Sequence, residues 1–207
     1  MYEIFVSAFI ALFVIIDPIG IAPVFAGLTQ GTPASHQRKM AFKGVLIGTL
    51  ILVFFAFMGK PFLGALGISI DALRVAGGLM LFIIALEMVF EKRSERKKEA
   101  AEKMDEFFED VSVFPVALPL LAGPGAITTI MLAVADAGSD TISQLAVTGA
   151  LLLVMLISLI VFLAAGPVMN ALGPTVNAVL TRLLGVILAA LATQFILDGL
   201  KNAFMGT

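Results

Sequence analysis

Polarity along the chain alternates between long apolar blocks and short polar ones. A helix rises about 1.5 Å per residue, so roughly 20 apolar residues cross a hydrocarbon core of about 30 Å. Six blocks reach or approach that length: Ile4–Leu28, Met40–Met58, Ala72–Phe90, Val111–Ala135, Leu145–Leu172 and, at its least sharp boundary, Val176–Leu200. The pattern predicts an all-α polytopic membrane protein with six transmembrane helices. Between Thr141 and Thr181 no charged residue occurs, and the two Gly-Pro steps of GPVMNALGPT, 166–175, are expected to separate the fifth helix from the sixth. The only strongly charged stretch, EKRSERKKEAAEKMDEFFED at 91–110, reads as a solvated connector whose Glu99 to Lys103 spacing supports a short helix.

Composition agrees with the block pattern. Of the 207 residues 60% are hydrophobic and the mean hydropathy is +1.08, too apolar for a soluble domain, where the apolar share is nearer about half. The expected partner is therefore the lipid bilayer, and a net charge of -2 gives no basic surplus for nucleic acid. With no cysteine, a disulfide framework, a thiol nucleophile and a thiolate metal site are all excluded. The N-terminal MYEIFVSAF lacks the basic region and small-residue cleavage site of a signal peptide, so the first block is expected to be retained.

If all six blocks cross, Lys60, Arg74 and Lys201 lie on the side of the chain ends. Arg38, Lys39, Lys43, Lys92, Arg93, Arg96, Lys97, Lys98, Lys103 and Arg182 lie on the other. Ten against three places the connector in the cytoplasm and both termini outside. A four-span alternative, with the first and fourth blocks re-entrant, keeps the same tally with the termini inside.

An internal repeat runs through the chain. Setting residue n against n + 106 brings Asp17-Pro18 onto Gly123-Pro124 and KPFLGALG, 60–67, onto GPVMNALG, 166–173. A two-residue slip then pairs Arg74 and Gly77 with Arg182 and Gly185. The halves are 1–91 and 111–207, joined by the linker 92–110. Three spans per half require the second half to enter the membrane inverted. Inverted repeats with matched broken helices are a signature of secondary transporters, whose binding site lies near the midplane at the repeat interface.

The two interruptions carry the candidate chemistry. In DPIGIAPVF, Asp17 is a helix-capping residue and Pro18 suits the first helical position, so the first block is expected to break near Ile16 and restart as a half-helix over 19–29. In LLAGPGAITTI, Gly123 is a permissive break, Pro124 the first helical position, and Thr128 and Thr129 stand on the following turns. Each break aims helix amides into the membrane, where they favour a carboxylate or other anion. Asp17, Pro18, Ile19 and Gly20 with Gly123, Pro124, Gly125, Thr128 and Thr129 are the expected substrate-binding set, joined by Thr193 and Gln194 of LAALATQFIL. Asp17 either caps its helix alone, or also carries a coupling proton, a cation or a substrate ammonium. Glu87, near the end of the third block, is interfacial or a second proton carrier. Thr128, Thr129, Thr193 and Gln194 have plainer readings as groups bonded within or between helices. His36, in TPASHQRK, reads as solvated, and Arg182 and Asp198 as helix-end groups.

At DPIGIAPVFAGLT, 17–29, and AGPGAITT, 122–129, the chain resembles the MarC family of six-span bacterial and archaeal membrane proteins, over nearly its whole length. That family commonly has Asn-Pro where this chain has Asp17-Pro18. The resemblance implies a plasma-membrane protein related to the LysE exporters and a role like that of members described as transporters of small neutral amino acids such as glycine and alanine. It names no cofactor.

The leading expectation is thus a secondary active transporter of small neutral amino acids, with protons preferred to sodium as the coupling ion and a small molecule as its substrate. A transporter or exporter of another small solute or of metal ions is the alternative, although for metals Asp17 is the only central carboxylate. An intramembrane enzyme is disfavoured, because Ser158 has no histidine within the membrane to act as its base. A homodimer remains compatible with the pattern.

Overall fold

A computed structural model describes residues 1–29, 31–90, 116, 117 and 120–205, with side chains described at all of these but 166–174. The connector 92–110 lies outside the described residues. Among the described residues seven α-helices stand in this order: α1 (Tyr2–Ile16), α2 (Pro18–Leu28), α3 (Ala34–Ala65), α4 (Ile70–Val89), α5 (Pro124–Asp136), α6 (Thr141–Leu163) and α7 (Ala165–Met205). Among the described residues there is no strand. α1 with α2, α3, α4, α6 and the Thr175–Met205 part of α7 are each long and apolar enough to cross a membrane, and α5 is a shorter apolar helix.

Local chemistry sets the helix limits. Ser69 caps α4 by accepting from the Ala72 amide at 3.1 Å, and Asp140 caps α6 by accepting from the Ser143 amide at 3.0 Å. Gly67 (φ +70°) and Gly138 (φ +63°) turn the α3–α4 and α5–α6 connections through backbone that a β-carbon would strain.

The separation expected at the Gly-Pro steps falls elsewhere. α6 ends at Leu163, Ala164 forms the turn, and α7 runs unbroken through both steps. Pro167 sits in the first turn of α7, where its missing N–H has no helical partner to lose. Pro174 forfeits one backbone bond inside a helix of 41 residues, too little to end it.

The first interrupted block runs through the bundle and does not turn back. Phe5 of α1 lies beside Gly149 near the start of α6, whereas Phe25 of α2 stacks on Phe162 near its end, with ring centroids 4.7 Å apart. α5 follows α3 in the same manner, with Leu121 against Gly48 and Met131 against Gly59. At one end of the bundle, Arg74 at the start of α4 pairs with Asp136 at the end of α5, and Asn202 of α7 reaches Asp71 of α4 at 3.4 Å. These contacts set the start of α4 and the ends of α5 and α7 at one end of the bundle.

α4 and α7 form the closest helix pair. A β-carbon on Gly78 would stand 2.8 Å from the Ala192 carbonyl oxygen, one on Gly199 2.9 Å from that of Asp71, and one on Gly185 3.1 Å from that of Ala85. Positions rise along α4 as they fall along α7, so the two run antiparallel. Asp71, Gly78 and Ala85 are spaced by seven, as are Gly185, Ala192 and Gly199, which is a coiled-coil repeat with small residues at the seam. Around this frame the most buried large side chains, Leu12, Ile16, Ile21, Phe25, Leu121, Ile130, Leu132, Leu151 and Met155, gather about the broken segments and α6. Phe54, Phe57, Ile83, Leu156, Ile160, Val186 and Leu197 point outward, the apolar exterior that a lipid solvent requires.

Candidate functional site

Asp17 ends one helix and starts the next. Its amide donates to the Phe13 carbonyl at 2.9 Å, closing α1, and its carbonyl accepts from the Ile21 amide at 3.1 Å, opening α2. Between these bonds the backbone takes the left-handed conformation (φ 56°, ψ 63°), the only non-glycine residue described with positive φ. Asp and Asn visit that region far more readily than other side chains. Its carboxylate, 3% exposed, accepts from the Gly20 amide at 3.0 Å. A β-carbon on Gly20 would collide with that carboxylate, so Asp17 and Gly20 form one unit. Pro23, inside α2, has no N–H to offer the Ile19 carbonyl one turn earlier, which leaves an acceptor without its helical donor beside the break.

The second break is built differently. Gly123 precedes α5 in extended backbone (φ -74°, ψ 167°), Pro124 occupies the first position, and no side chain caps the turn. Gly123, having no side chain, cannot itself answer the amides of Gly125 and Ala126 as Asp17 answers that of Gly20. One half-helix carries an anion on its own N-cap residue, whereas the N-cap residue of the other has none.

The structure brings these two breaks together. Gly125 is buried, and a β-carbon there would stand 2.9 Å from Cδ1 of Ile15, two residues before Asp17, and 3.1 Å from Cδ1 of Ile84 on α4. A cavity of about 300 Å³ leads toward this contact from the end of the bundle where Arg74 and Asp136 pair. α1 lines it with Glu3, Ile4, Ser7, Ala8 and Ala11; α5 with Thr129, Ala133 and Asp136; Ala137, Val147 and Phe195 complete it. On both walls the lining residues recur every three or four positions, and the next turn inward carries Ile15 on α1 and Gly125 on α5. Ile15 packed on Gly125 stands one turn beyond the lining residues Ala11 and Thr129.

The other expected site residues divide. Thr129 is 2% exposed, lines the cavity, and has no hydrogen-bond partner for its Oγ1. Thr128, also buried, presses its methyl group against Gly77, serving the α4–α5 contact. Glu87 is half-buried on α4, one turn beyond Ile84. Thr193 and Gln194 are not brought to the breaks. Both are exposed on α7 and bond within that helix, Thr193 to the Ala189 carbonyl and Gln194 to Asp198, each at 2.8 Å. Ser158 donates to the Val154 carbonyl at 2.9 Å. Among the described residues no three His, Asp or Glu side chains cluster closely enough to hold a metal ion. Sequence reasoning missed the cavity wall of Glu3, Ser7 and Ala11, although the small residues Ser7, Ala8 and Ala11 at helical spacing were its available signal.

Fold and site together define an all-helical polytopic membrane protein with two apposed intramembrane helix breaks. Over residues 2–204 the chain matches the model of the MarC family integral membrane proteins, and it belongs to that family. It is 39% identical to a UPF0056 membrane protein of Methanocaldococcus jannaschii, over 98% of either chain. With UPF0056 membrane protein YhcE of Escherichia coli it shares 35% identity over 99% of this chain and 95% of that one. With UPF0056 membrane protein YvbG of Bacillus subtilis it shares 35% over 99% and 97%. These names state membrane residence and no substrate. No solved structure matches the chain.

Proposed function

We propose that this chain is a secondary active transporter of small neutral amino acids, binding the solute between the two helix breaks. The observation that carries the proposal is their opposite capping: α2 holds the Asp17 carboxylate, α5 has no side-chain cap, and Ile15 joins Gly125 across the gap. A zwitterion fits such a pair. Its carboxylate suits the Gly125 and Ala126 amides, and its ammonium suits Asp17 and the Ile19 carbonyl freed by Pro23. Gly20, Gly123 and Gly125 at the breaks suit a solute whose own side chain is small.

Reciprocal packing supports reading the halves as an inverted repeat. α3 packs on α5 as α6 packs on α2, α4 meets α5 as α7 meets α2, and the α4–α7 and α3–α6 contacts join equivalent helices. Exchange between such halves is a route to alternating access. Coupling to protons is assigned to Asp17, with Glu87 as the second candidate.

Reconstituted protein should take up radiolabelled glycine or alanine into liposomes under an imposed pH gradient. Asp17→Asn should bind the solute and lose the dependence on the gradient; an unchanged dependence removes Asp17 from the coupling step. Absence of uptake or exchange of either solute, by folded protein in both gradient directions, refutes the transport reading.

A further inference from the structure

We infer that the cavity between α1 and α5 is a second solute site, an outer station for a small amino-bearing molecule on its way to the helix breaks. Its placement presupposes the transport reading above. Its existence rests on separate observations.

At about 300 Å³ the cavity is at the small end of ligand pockets. It has the volume of about ten waters, enough for an amino acid of glycine or alanine size with part of its hydration. Its walls are mostly apolar or small, and its polar groups stand at its two ends. Glu3 and Asp136 mark the outer end, on the first turn of α1 and the last of α5. Arg74 pairs with Asp136, and with Glu3, Asp198 and Asp140 at the same end against the N-terminal amino group, acidic charge is in excess and the rim favours an amino group over an anion. At the inner end stands Thr129, a residue 2% exposed whose hydroxyl has no hydrogen-bond partner among the described residues.

That hydroxyl is the most informative feature. A threonine inside a helix ordinarily donates to the carbonyl four residues earlier, as Thr49, Thr148 and Thr193 do here at 2.7–2.8 Å. Thr129 makes no such bond, and a buried hydroxyl left unpaired is costly by about 1–3 kcal/mol. A ligand in the cavity would satisfy it. Beyond Thr129 the packed Ile15–Gly125 pair separates this station from the breaks, so the two sites are distinct and in series.

The chain has no cysteine, so single cysteines report on the cavity without background. Ser7→Cys is nearly isosteric, Ala133→Cys probes the facing wall, and Ser139→Cys in the α5–α6 connection is the control outside the cavity. In proteoliposomes carrying the full chain, a membrane-impermeant maleimide should label all three variants. Glycine at ten times its dissociation constant should slow labelling of Ser7→Cys and Ala133→Cys about tenfold and leave that of Ser139→Cys unchanged. Acetate, which lacks the amino group, should not protect. In the Ser7→Cys background Thr129→Val should abolish protection and Thr129→Ser should restore it.

Failure of glycine to protect either Ser7→Cys or Ala133→Cys, in vesicles where the cysteine-free protein takes up glycine, would overturn the outer site and leave the transport reading intact. Equal protection by acetate would overturn the amino selectivity. Protection in vesicles that take up no glycine would support the site and overturn the transport reading instead.

Discussion

At the scale of single residues, Asp17 has two separable roles. Its left-handed backbone and its bond to Gly20 require a short side chain with an acceptor oxygen, and Asn meets both needs as well as Asp. An Asn-Pro pair would therefore preserve the break, while the negative charge is what Asp17 adds. Asp17→Asn should thus unfold at the temperature of the unsubstituted protein in detergent. Asp17→Ala should lose about 2–3 kcal/mol, from the cap and from left-handed strain. Gly20→Ala tests the unit from the other side: destabilising alone, it should be almost neutral once Asp17→Gly has removed the carboxylate, a non-additivity that denaturation of the four variants measures. Outside the membrane, Asp140 shows the same capping chemistry with a titration attached. Hydrogen bonds from the Ser143 hydroxyl and amide hold its carboxyl below the ordinary carboxylate range. The folded-state value is the depressed one, so the cap stabilises α6 fully above the unfolded carboxyl's pKa near about 3.9 and fades as pH falls through the folded value. The melting temperature of Asp140→Ala should trail that of the unsubstituted protein at pH 7 and converge with it on acidification.

At the scale of elements, the breaks were legible and the seam was not. Asp17-Pro18 and Gly123-Pro124 combine a capping or permissive residue with a proline, a local signal strong enough to locate α2 and α5 within a residue or so. The Gly-Pro steps at 166–175 carry a similar local signal, yet α7 overrides them, because a long helix can lose one backbone bond where neighbouring turns hold it. Asp71, Gly78 and Ala85 against Gly185, Ala192 and Gly199 escaped notice for a different reason. Each heptad of small residues is unremarkable alone, and only the antiparallel pairing makes them meet. Thr193 and Gln194 looked central because polar groups in an apolar run invite a functional reading, but the face that carries them is turned outward. The seam predicts a sharp contrast among glycines. Gly78→Ala and Gly199→Ala place a methyl against backbone carbonyls of the partner helix, which cannot yield without parting α4 from α7, so both should lower thermal stability. Gly64→Ala meets nothing within 4 Å and should raise it by about 0.5 kcal/mol through helix propensity. Equal effects at the three positions would mean that the seam is not closely packed in the membrane.

At the scale of the whole molecule, the ion pair of Arg74 with Asp136 and the contact of Asn202 with Asp71 decide the threading. They set the starts of α1 and α4 and the ends of α5 and α7 at one end of the bundle, because Glu3 and Asp136 line the same cavity. Arg38, Lys39 and Lys43, on the first turns of α3, stand at the other end with Arg182. In the sequence six further basic residues lie in 92–103, between α4 and α5, and such a charge asymmetry orients a membrane protein, since positively charged loops are retained in the cytoplasm. That asymmetry predicts that the chain ends and the mouth of the cavity face outward, so that the cavity is approached from outside. An alkaline phosphatase fused after Thr207 in a bacterial host should be active, and a green fluorescent protein at the same place should be dark. The converse pattern would invert the bundle and make the cavity a cytoplasmic entrance, turning uptake through it into export. Labelling of Ser7→Cys by an impermeant reagent in whole cells checks the orientation at the opposite terminus: reaction without permeabilising the membrane is expected, and reaction only after permeabilisation would reverse the assignment.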